Sequence, residues 1–599
     1  MRRNGPNILS LVTFFATNLL RAVRDSVAYA VSFLPRWLSS VLSRCQTVAG
    51  EKPPHVPECS VLRLDTKVYT SDDDDTAGDG LDLVDVLASR RRFRLRRDRL
   101  CEHSEYFRAL FRSRMQENEE RTVDLSSVPC EILEPILDFV HDGRLALLTP
   151  DIVCECIETA NYLVMPGLLK ECGAYARGIL DRRNCWSFLE FAESIACEEA
   201  LAAAYSYLSS NFLELGNIGK RLPPEKVEKI RRLRTEGARH LCVLKKECAV
   251  PAHLANGSGR CIYHLSVRAD GDEASRGGRF WDAGGTQTSV AGDRTPGSDG
   301  AAAAGRSSRA WLRRSELPFA SDKWNFSTAV LDNYLYIIGG HRHCQGGSSR
   351  AEFRSLAYRY NPLTDTWAEV ACMRKRRRRF SLAVARGFLF ALGGWYLDAL
   401  TSPDARTRVY SAVERYDPAS DTWTFVSSLP FTDFTFSMTM THDVPLAATL
   451  RDDVYAIGNI ARTGEKLLLR YEVARDRWSE VLPTLTRAAV DLPALYCMVA
   501  AERLYVLGCN NDSSVLLSFS PQEGRWSRPA LLPKLCLVGQ GAAVVAGADG
   551  NGGPTAIAMP APEQNCAVVV ELETGAVQLL PELPFPPSHE AIFTLHFPA

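Results

Sequence analysis

From residue 326 to the end of the chain, apolar runs and polar turns alternate in a fixed order. Four runs of β-forming residues end at or near glycine: 335–340 (LYIIGG), 389–394 (LFALGG), 454–459 (VYAIGN) and 504–509 (LYVLGC). Each leads to a polar turn between two aromatics: 360–367 (YNPLTDTW), 416–423 (YDPASDTW), 471–478 (YEVARDRW) and the looser 519–526 (FSPQEGRW). Trp367, Trp423, Trp478 and Trp526 recur at intervals of 56, 55 and 48 residues. Short β-rich apolar runs predict inner strands buried on both faces. The pairs Gly339-Gly340 and Gly393-Gly394 let the backbone turn at the strand end and admit a close neighbour. Asn361-Pro362 and Thr364-Asp365 carry tight-turn chemistry, with the Asx side chain capping its own backbone. A strand ending at Tyr360 therefore returns as one beginning near Trp367. The same holds for Tyr416 with Trp423, Tyr471 with Trp478 and, in the looser unit, Phe519 with Trp526, so that the aromatics pack between neighbouring sheets.

The first half follows other periods. Alternation over 84–95 (VDVLASRRRFRL) predicts a hairpin, and 100–115 an amphipathic helix with Leu100, Phe107, Leu110 and Phe111 on one face. A short strand at 123–125 precedes a helix, turn and strand over 130–147. Residues 152–163 predict a helix with Val153, Cys156, Ile157, Ala160 and Leu163 inward. Two helices are expected over 184–212, with Leu201, Ala204, Tyr205, Leu208 and Phe212 in one stripe. The Gly-, Ala-, Ser- and Asp-rich stretch 248–308 predicts a flexible insertion with one strand in it.

A self-similar unit of about 50 residues is the signature of a β-propeller, and these units resemble kelch repeats. Segments 326–373, 380–430, 446–485 and 495–533 make four units. A fifth, 537–584, has lost its aromatics, with Val577 where tryptophan is expected. The run 591–597 (AIFTLHF) has no partner after it. Upstream, 261–265 and 309–318 look like outer strands of a blade, with Trp311 in register at 56 residues before Trp367. A sixth blade closed by strands from both ends leaves no open edge. Six blades are expected, with seven as the alternative count.

The first half resembles the BTB (POZ) domain over roughly 59–183. The likeness rests on Asp85-Val86, the run Ser104-x-Tyr106-Phe107-Arg108-Ala109-Leu110-Phe111, the Phe139-x-x-x-Gly143 corner and Ala160-x-x-Leu163. Arg96-Arg97 stand where that family usually has a histidine, and the acidic insert 71–82 (SDDDDTAGDGLD) is unusual for it. The Asn184-Cys185 opening and the paired helices resemble the start of a BACK domain. The expected fold is thus multidomain: a tail over 1–58, an α/β BTB domain over 59–183, an all-α, short BACK domain over 184–247, the insertion over 248–308 and an all-β kelch propeller over 309–599.

Composition narrows the function. A formal charge of −1 over 599 residues and 46% hydrophobic content describe an ordinary globular protein without the basic excess that draws nucleic acid. The 18 cysteines are scattered with no C-x-x-C pair, which points to free thiols in a reducing cytosol rather than zinc or disulfides. Within residues 1–45, the uncharged stretch 8–20 is too short to span a bilayer, which takes about 20 residues. With its flanking arginines it reads as a segment lying on a membrane surface or as a helical tail. No phosphate loop, nucleophile elbow or His-Glu-x-x-His helix is present. His341 and His343 flank Arg342, but a two-histidine pair without a third ligand is a poor metal site. No enzyme activity, cofactor or metal is expected.

The BTB, BACK and kelch order resembles the Kelch-like and Kelch-repeat-and-BTB proteins. That resemblance implies a cytoplasmic homodimer acting as substrate receptor of a cullin-3 RING ubiquitin ligase, with a non-ligase cytoskeletal or membrane scaffold as the alternative. It places cullin contacts at Met115 and Glu117, which occupy the family's hydrophobic-x-Glu position, and at Tyr106 and Phe107. The basic run 374–380 (RKRRRRF) lies in a crossing loop of the kind that forms the family's target face. Arg374, Arg377 and Arg379, with His341 and Arg342, are therefore expected to capture an acidic protein target. A nuclear-localisation signal and a merely solvated loop are the other readings of that run.

Overall fold

The computed structural model describes residues 65–69, 82–89, 91–112, 121–145, 148–216, 218–245 and 260–267 in the first part of the chain. Beyond these it describes 309–319, 323–324, 326–342, 356–377, 380–396, 408–409, 411–431, 434–435, 446–460, 462–482, 484, 494–509, 514–527, 530–532, 543–546, 556–561, 565–584 and 590–598. The tail 1–58, the acidic insert up to residue 81 and most of the insertion 248–308 lie outside the described residues. Contacts divide the chain into two units, Met1–Ser209 and Ser210–Ala599. Among the described residues no helix is long and apolar enough to cross a membrane.

In the first unit, β1 (Asp65–Val68), β2 (Leu83–Leu87), β3 (Arg91–Arg96) and β4 (Thr122–Asp124) form one sheet in the order β1-β3-β2-β4. The predicted hairpin is β2–β3, with Val84 opposite Leu95 and Val86 opposite Phe93. All four side chains are buried, because alternation sends one face of each strand inward. Its arginines pair with acids: Arg94 with Asp85 at 2.7 Å and Arg91 with Glu134 at 2.9 Å. The single helix expected over 100–115 is two helices, α1 (Arg97–His103) and α2 (Glu105–Arg112). Ser104 breaks it: its backbone is extended, its hydroxyl donates to the Leu163 carbonyl (2.6 Å) and accepts from the Phe107 amide (3.2 Å). That is serine's N-cap chemistry. Five more helices follow: α3 (Cys130–Asp142), α4 (Val153–Tyr162), α5 (Pro166–Ile179), α6 (Cys185–Ser194) and α7 (Glu198–Ser210). Gly143 ends α3 in the left-handed conformation, φ 68°, which glycine adopts without strain.

Among the described residues the second unit is a propeller of six four- or five-stranded sheets, with two further two-stranded ribbons. Blade 1 comprises Ser327–Leu331, Tyr334–Ile338, Ala357–Asn361 and Thr366–Glu369; blade 2 comprises Ser381–Ala385, Phe388–Leu392, Val413–Asp417 and Thr422–Val426. Blades 3, 4 and 5 begin at Leu446–Leu450, Ala494–Ala500 and Ala543–Ala546. In blade 6 the C-terminal strand Glu590–Phe597 is joined by β5 (Ala238–Lys245), β6 (Cys261–Val267) and β7 (Arg309–Glu316). The first strand of each blade touches the first strand of the next, and Glu590–Phe597 touches Ser327–Leu331, so the ring closes. The apolar runs before the glycines are the second strands rather than the innermost ones. Tyr334–Ile338 is buried throughout because it is paired on both edges and covered on both faces, whereas Ser327–Leu331 is partly open towards the axis.

The expected boundary at 247 moves. β5 belongs to the propeller, paired with the C-terminal strand on one edge and β6 on the other. The segment before it is equally committed, through α8 (Ile218–Arg221) and α9 (Pro224–Leu233). Arg234, fully buried, stacks on Tyr334 at 3.8 Å and donates to the Asp332 carbonyl (2.7 Å) and Asn361 Oδ1 (3.2 Å). Asn333 donates to the carbonyls of Arg234 and His596, and Tyr334 donates to Glu214 (2.6 Å). An apolar run as short as 241–244 (LCVL) gives no period that separates strand from helix, so only its partners assign it.

Two outcomes are expected of the closing blade. Removing residues 590–599 should abolish the cooperative melt of the propeller in calorimetry, because it strips one whole edge of β5 of its partner and opens the ring. His264 packs against His240 (5.2 Å) and Phe597 (5.3 Å), and its Nδ1 is buried without a hydrogen-bond partner among the described residues. Burial, then the neighbouring His240 and Arg314, push its imidazole down to about 4. Unfolded histidine titrates near 6.5, so below that pH the unfolded chain takes up a proton that the folded one refuses. The melting midpoint should therefore fall as pH drops from about 6.5 towards 4. His264→Gln should flatten that dependence.

Candidate functional site

The repeated aromatics and their aspartates form a clasp between blades. Tyr360, Tyr416 and Tyr471 donate their hydroxyls to Asp365, Asp421 and Asp476 at 2.7, 2.7 and 2.5 Å. Each aspartate stands at a positive φ, 53°, 51° and 49°, a conformation that short Asx side chains tolerate. Asp421 also accepts the amide of Ala371 (2.8 Å), while Trp423 donates its indole to the carbonyl of the same residue (2.8 Å). Asp476 and Trp478 hold Ser427 in the same way, both at 2.8 Å. Thus the residue after one blade's outer strand has its amide and carbonyl gripped by the next blade. Trp367 reaches back to Ser315 of blade 6, and Trp311 to Pro581 of blade 5. Asp421 and Asp476 thus cap the preceding blade rather than only their own turn. Burial, then the hydrogen bond to its aspartate, pushes each tyrosine hydroxyl up, so it stays a donor.

Blade 4 departs from this in lacking the tyrosine–aspartate pair, while its tryptophan keeps its place. Trp526 stands opposite Phe519, with ring centroids 5.1 Å apart, and packs partly buried against the cluster around Leu504, Leu517 and Phe519, as Trp367 and Trp478 do against theirs. Its strand has shrunk to Arg525–Trp526. The reason lies in its partners: Phe519 has no hydroxyl to donate, and Gly524 stands where the aspartate would accept, at φ 63°. Trp526 therefore packs on its own hairpin without the tyrosine–aspartate clasp. Blade 5 has Gly575 at the same place, φ 70°, so there too the turn survives without the clasp.

The glycine pairs admit the next blade. Gly339 and Gly340 have φ 76° and 90°, and a Cβ on Gly339 would lie 2.4 Å from the Phe380 ring. Gly393 and Gly394 repeat this backbone at 63° and 86°. The Gly340 amide donates to the Arg377 carbonyl (3.1 Å) and the Ser327 hydroxyl to that of Phe380. The crossing loop from blade 1 to blade 2 is therefore pinned against the glycine end of both second strands.

That packing corrects the expected target face. Arg374, Lys375 and Arg376 point to solvent, but Arg377 is enclosed. It donates through Nε and Nη2 to Glu414 Oε1 (3.1 and 2.9 Å) and through Nη1 to the Gly393 carbonyl (2.7 Å). Both side chains of the pair are 0% exposed. Glu414 also accepts the amides of Arg374 (2.7 Å) and Lys375 (3.2 Å). Arg377 is thus the anchor of the loop and cannot meet a target. Arg379 and His343 lie outside the described residues. His341–Arg342 forms a two-stranded ribbon with Lys323–Trp324 just beyond Gly340, and their side chains lie outside the described set. No group of three or more His, Cys, Asp or Glu among the described residues could hold a metal.

In the first unit, Phe107 is fully buried, stacked on Phe111 at 6.1 Å, so it supports the core and offers no contact to a partner. Tyr106 is partly exposed and packs on Tyr162 at 5.5 Å. Tyr162 is 38% exposed and Val164 48%, and Val164 sits at φ 49°. A positive φ is unusual for a β-branched residue. The sequence pattern missed Tyr162 and Val164, since α4 was read only for its inward stripe. Met115 and Glu117 lie outside the described residues.

Truncating Arg377 should be costly. Arg377→Ala leaves Glu414 charged and enclosed, and breaking a buried pair from one side costs about 3–5 kcal/mol. The double variant Arg377→Met, Glu414→Leu should regain much of that loss, and Tyr416→Phe should cost about 1 kcal/mol. Urea unfolding of the full chain checks all three.

A family profile described as BTB/POZ domain matches residues 77–179, and the Kelch motif matches 325–374 and 376–430. The chain is 27% identical over 348 residues to Kelch repeat and BTB domain-containing protein 13 of Homo sapiens, covering 58% of this chain and 62% of that protein. It is 26% identical over 382 residues to human Kelch-like protein 30, covering 56% and 63%. To Kelch-like protein 21 of Rattus norvegicus it is 34% identical over 170 residues, 28% of each. The alignments thus span less than two thirds of these relatives' length. With a BTB sheet and helices in one unit and six kelch-type blades in the other, the chain belongs to the BTB–kelch family.

Proposed function

We propose that this chain is a substrate-recognition adaptor of a cullin-3 RING ubiquitin ligase. Its BTB domain forms a homodimer and holds the cullin, and its propeller presents a protein target. Two interaction modules in one chain support an adaptor, and the family resemblance of that order supports the cullin. The observation that carries the reading is the apolar surface of Tyr106, Tyr162 and Val164 on the BTB unit. Exposed aromatic and branched side chains held by a rigid helix pair are what a partner's apolar anchor requires. Met115 and Glu117 follow α2 in sequence and extend the proposed contact. In this reading the chain contributes binding, and catalysis belongs to the assembled ligase.

Co-precipitation of endogenous cullin-3 with the full-length chain tests it. Tyr162→Asp and the double variant Met115→Ala, Glu117→Ala should each lose capture, since truncating a central anchor costs roughly 2 kcal/mol, about thirtyfold. Folding is checked by melting, and dimerisation by sedimentation. A dimeric, folded wild type that captures no cullin-3 would leave the non-ligase scaffold as the better reading.

A further inference from the structure

We propose that Arg374, Lys375 and Arg376, together with Phe425, form a recognition surface for an acidic linear peptide carrying an aromatic or branched apolar residue. The proposal rests on the reading of the propeller as the target-binding part and names the class of target. The three cations are exposed in succession, and their backbone is not free to follow them. The amides of Arg374 and Lys375 are fixed on Glu414, and the Arg377 carbonyl is fixed by Gly340. A ligand meeting this loop does not have to order its backbone, which removes one cost of binding.

Phe425 lies beside the cations for a structural reason. It is the cross-strand partner of Glu414 in blade 2, so both side chains stand on one face of the sheet. The loop covers Glu414 completely and stops short of Phe425, which remains 45% exposed. The Arg374 guanidinium stands 5.8 Å from the Phe425 ring centroid, within cation–π range. Of the nearby carboxylates, Glu414 is compensated by Arg377, while Asp421 keeps its charge and is held by the Tyr416 hydroxyl and the Ala371 amide, so the three exposed cations leave the patch basic. Three consecutive exposed cations, the first of them against an exposed ring, fit the carboxylates and one apolar side chain of a peptide. Nucleic acid is the poorer occupant, because its phosphate spacing calls for a long basic track, and the chain's formal charge is −1.

The test is fluorescence anisotropy with the full-length chain and a short labelled peptide of glutamate and aspartate around a central phenylalanine. The wild type should bind it, and affinity should fall steeply with added salt. Arg374→Glu with Arg376→Glu should lose at least roughly tenfold, and Phe425→Ala should lose severalfold. A matched peptide of glutamine and asparagine should bind weakly, and an oligothymidylate should not compete. Melting curves establish that each variant folds; these side chains are exposed, so no loss is expected. Equal affinity of folded wild type and variants overturns the proposal, as does displacement of the peptide by the oligonucleotide. Cullin-3 capture by the same variants separates the two readings. Intact capture with no peptide binding sinks the surface alone, whereas peptide binding by a wild type that captures no cullin leaves the surface standing and removes the ligase role.

Discussion

Pairing of Glu590–Phe597 with Ala238–Lys245 is the constraint on which the propeller depends. The register runs from Glu590 opposite Lys245 to Phe597 opposite Ala238, and it joins the last strand of the chain to one more than three hundred residues earlier. Closing so long a loop costs chain entropy, but only logarithmically in its length. What offsets that cost is the removal of two open sheet edges and the burial of Leu241, Val243, Ile592 and Leu595. The Asn333 side chain bonds both the amide and the carbonyl of His596, so closure is coupled to blade 1, and through Arg234 to the helical segment before β5. The propeller consequently begins at about residue 210, well before its first recognisable repeat.

The clasps distribute that constraint around the ring. Blades 2 and 3, through Asp421 with Trp423 and Asp476 with Trp478, each fix the backbone of their predecessor at both amide and carbonyl, while Trp367 of blade 1 reaches a side chain of blade 6. Blades 4 and 5, with glycine in place of the aspartate, rely on apolar packing between sheets, as in the cluster of Leu507, Ile557, Met559 and Val568. Trp526 marks the change, keeping its place in the hairpin after its clasp partners are gone. The repeat signature weakens along the chain where the clasp residues are lost and the apolar packing shared with the clasped blades remains.

The buried Arg377–Glu414 pair shows how one loop serves two ends. An enclosed ion pair is weak evidence of stability gained, since desolvation offsets much of its attraction. Its value here is positional: one carboxylate collects two backbone amides and a guanidinium and so sets the course of the loop. The neighbouring cations are then presented outward from a fixed backbone. A run of like charges does not reveal which member turns inward, because that depends on a glutamate more than thirty residues away in another strand.

Much of this was legible in the sequence, for reasons of periodicity. The glycine, tyrosine and tryptophan repeat specified the blades, because each unit must bury the same faces against its neighbours; Trp311 and the run 591–597 announced closure from both ends. Alternation specified the β2–β3 hairpin, and the helical stripe its buried faces. The domain order carried the family. The sequence by itself did not assign β5, whose short apolar run acquires a meaning only from its partners, nor the break at Ser104, whose hydroxyl is fixed by a carbonyl 59 residues away. Likewise Arg377 and Phe107 were read as contacts and are interior, while Tyr162, within the predicted helix, and Val164, just past it, were given no role and are surface. Local pattern determines which faces must be buried, and those follow from solvation alone. Which charged or aromatic side chain ends inside is decided by tertiary structure, because it takes a distant partner to compensate a buried charge or to leave an aromatic uncovered.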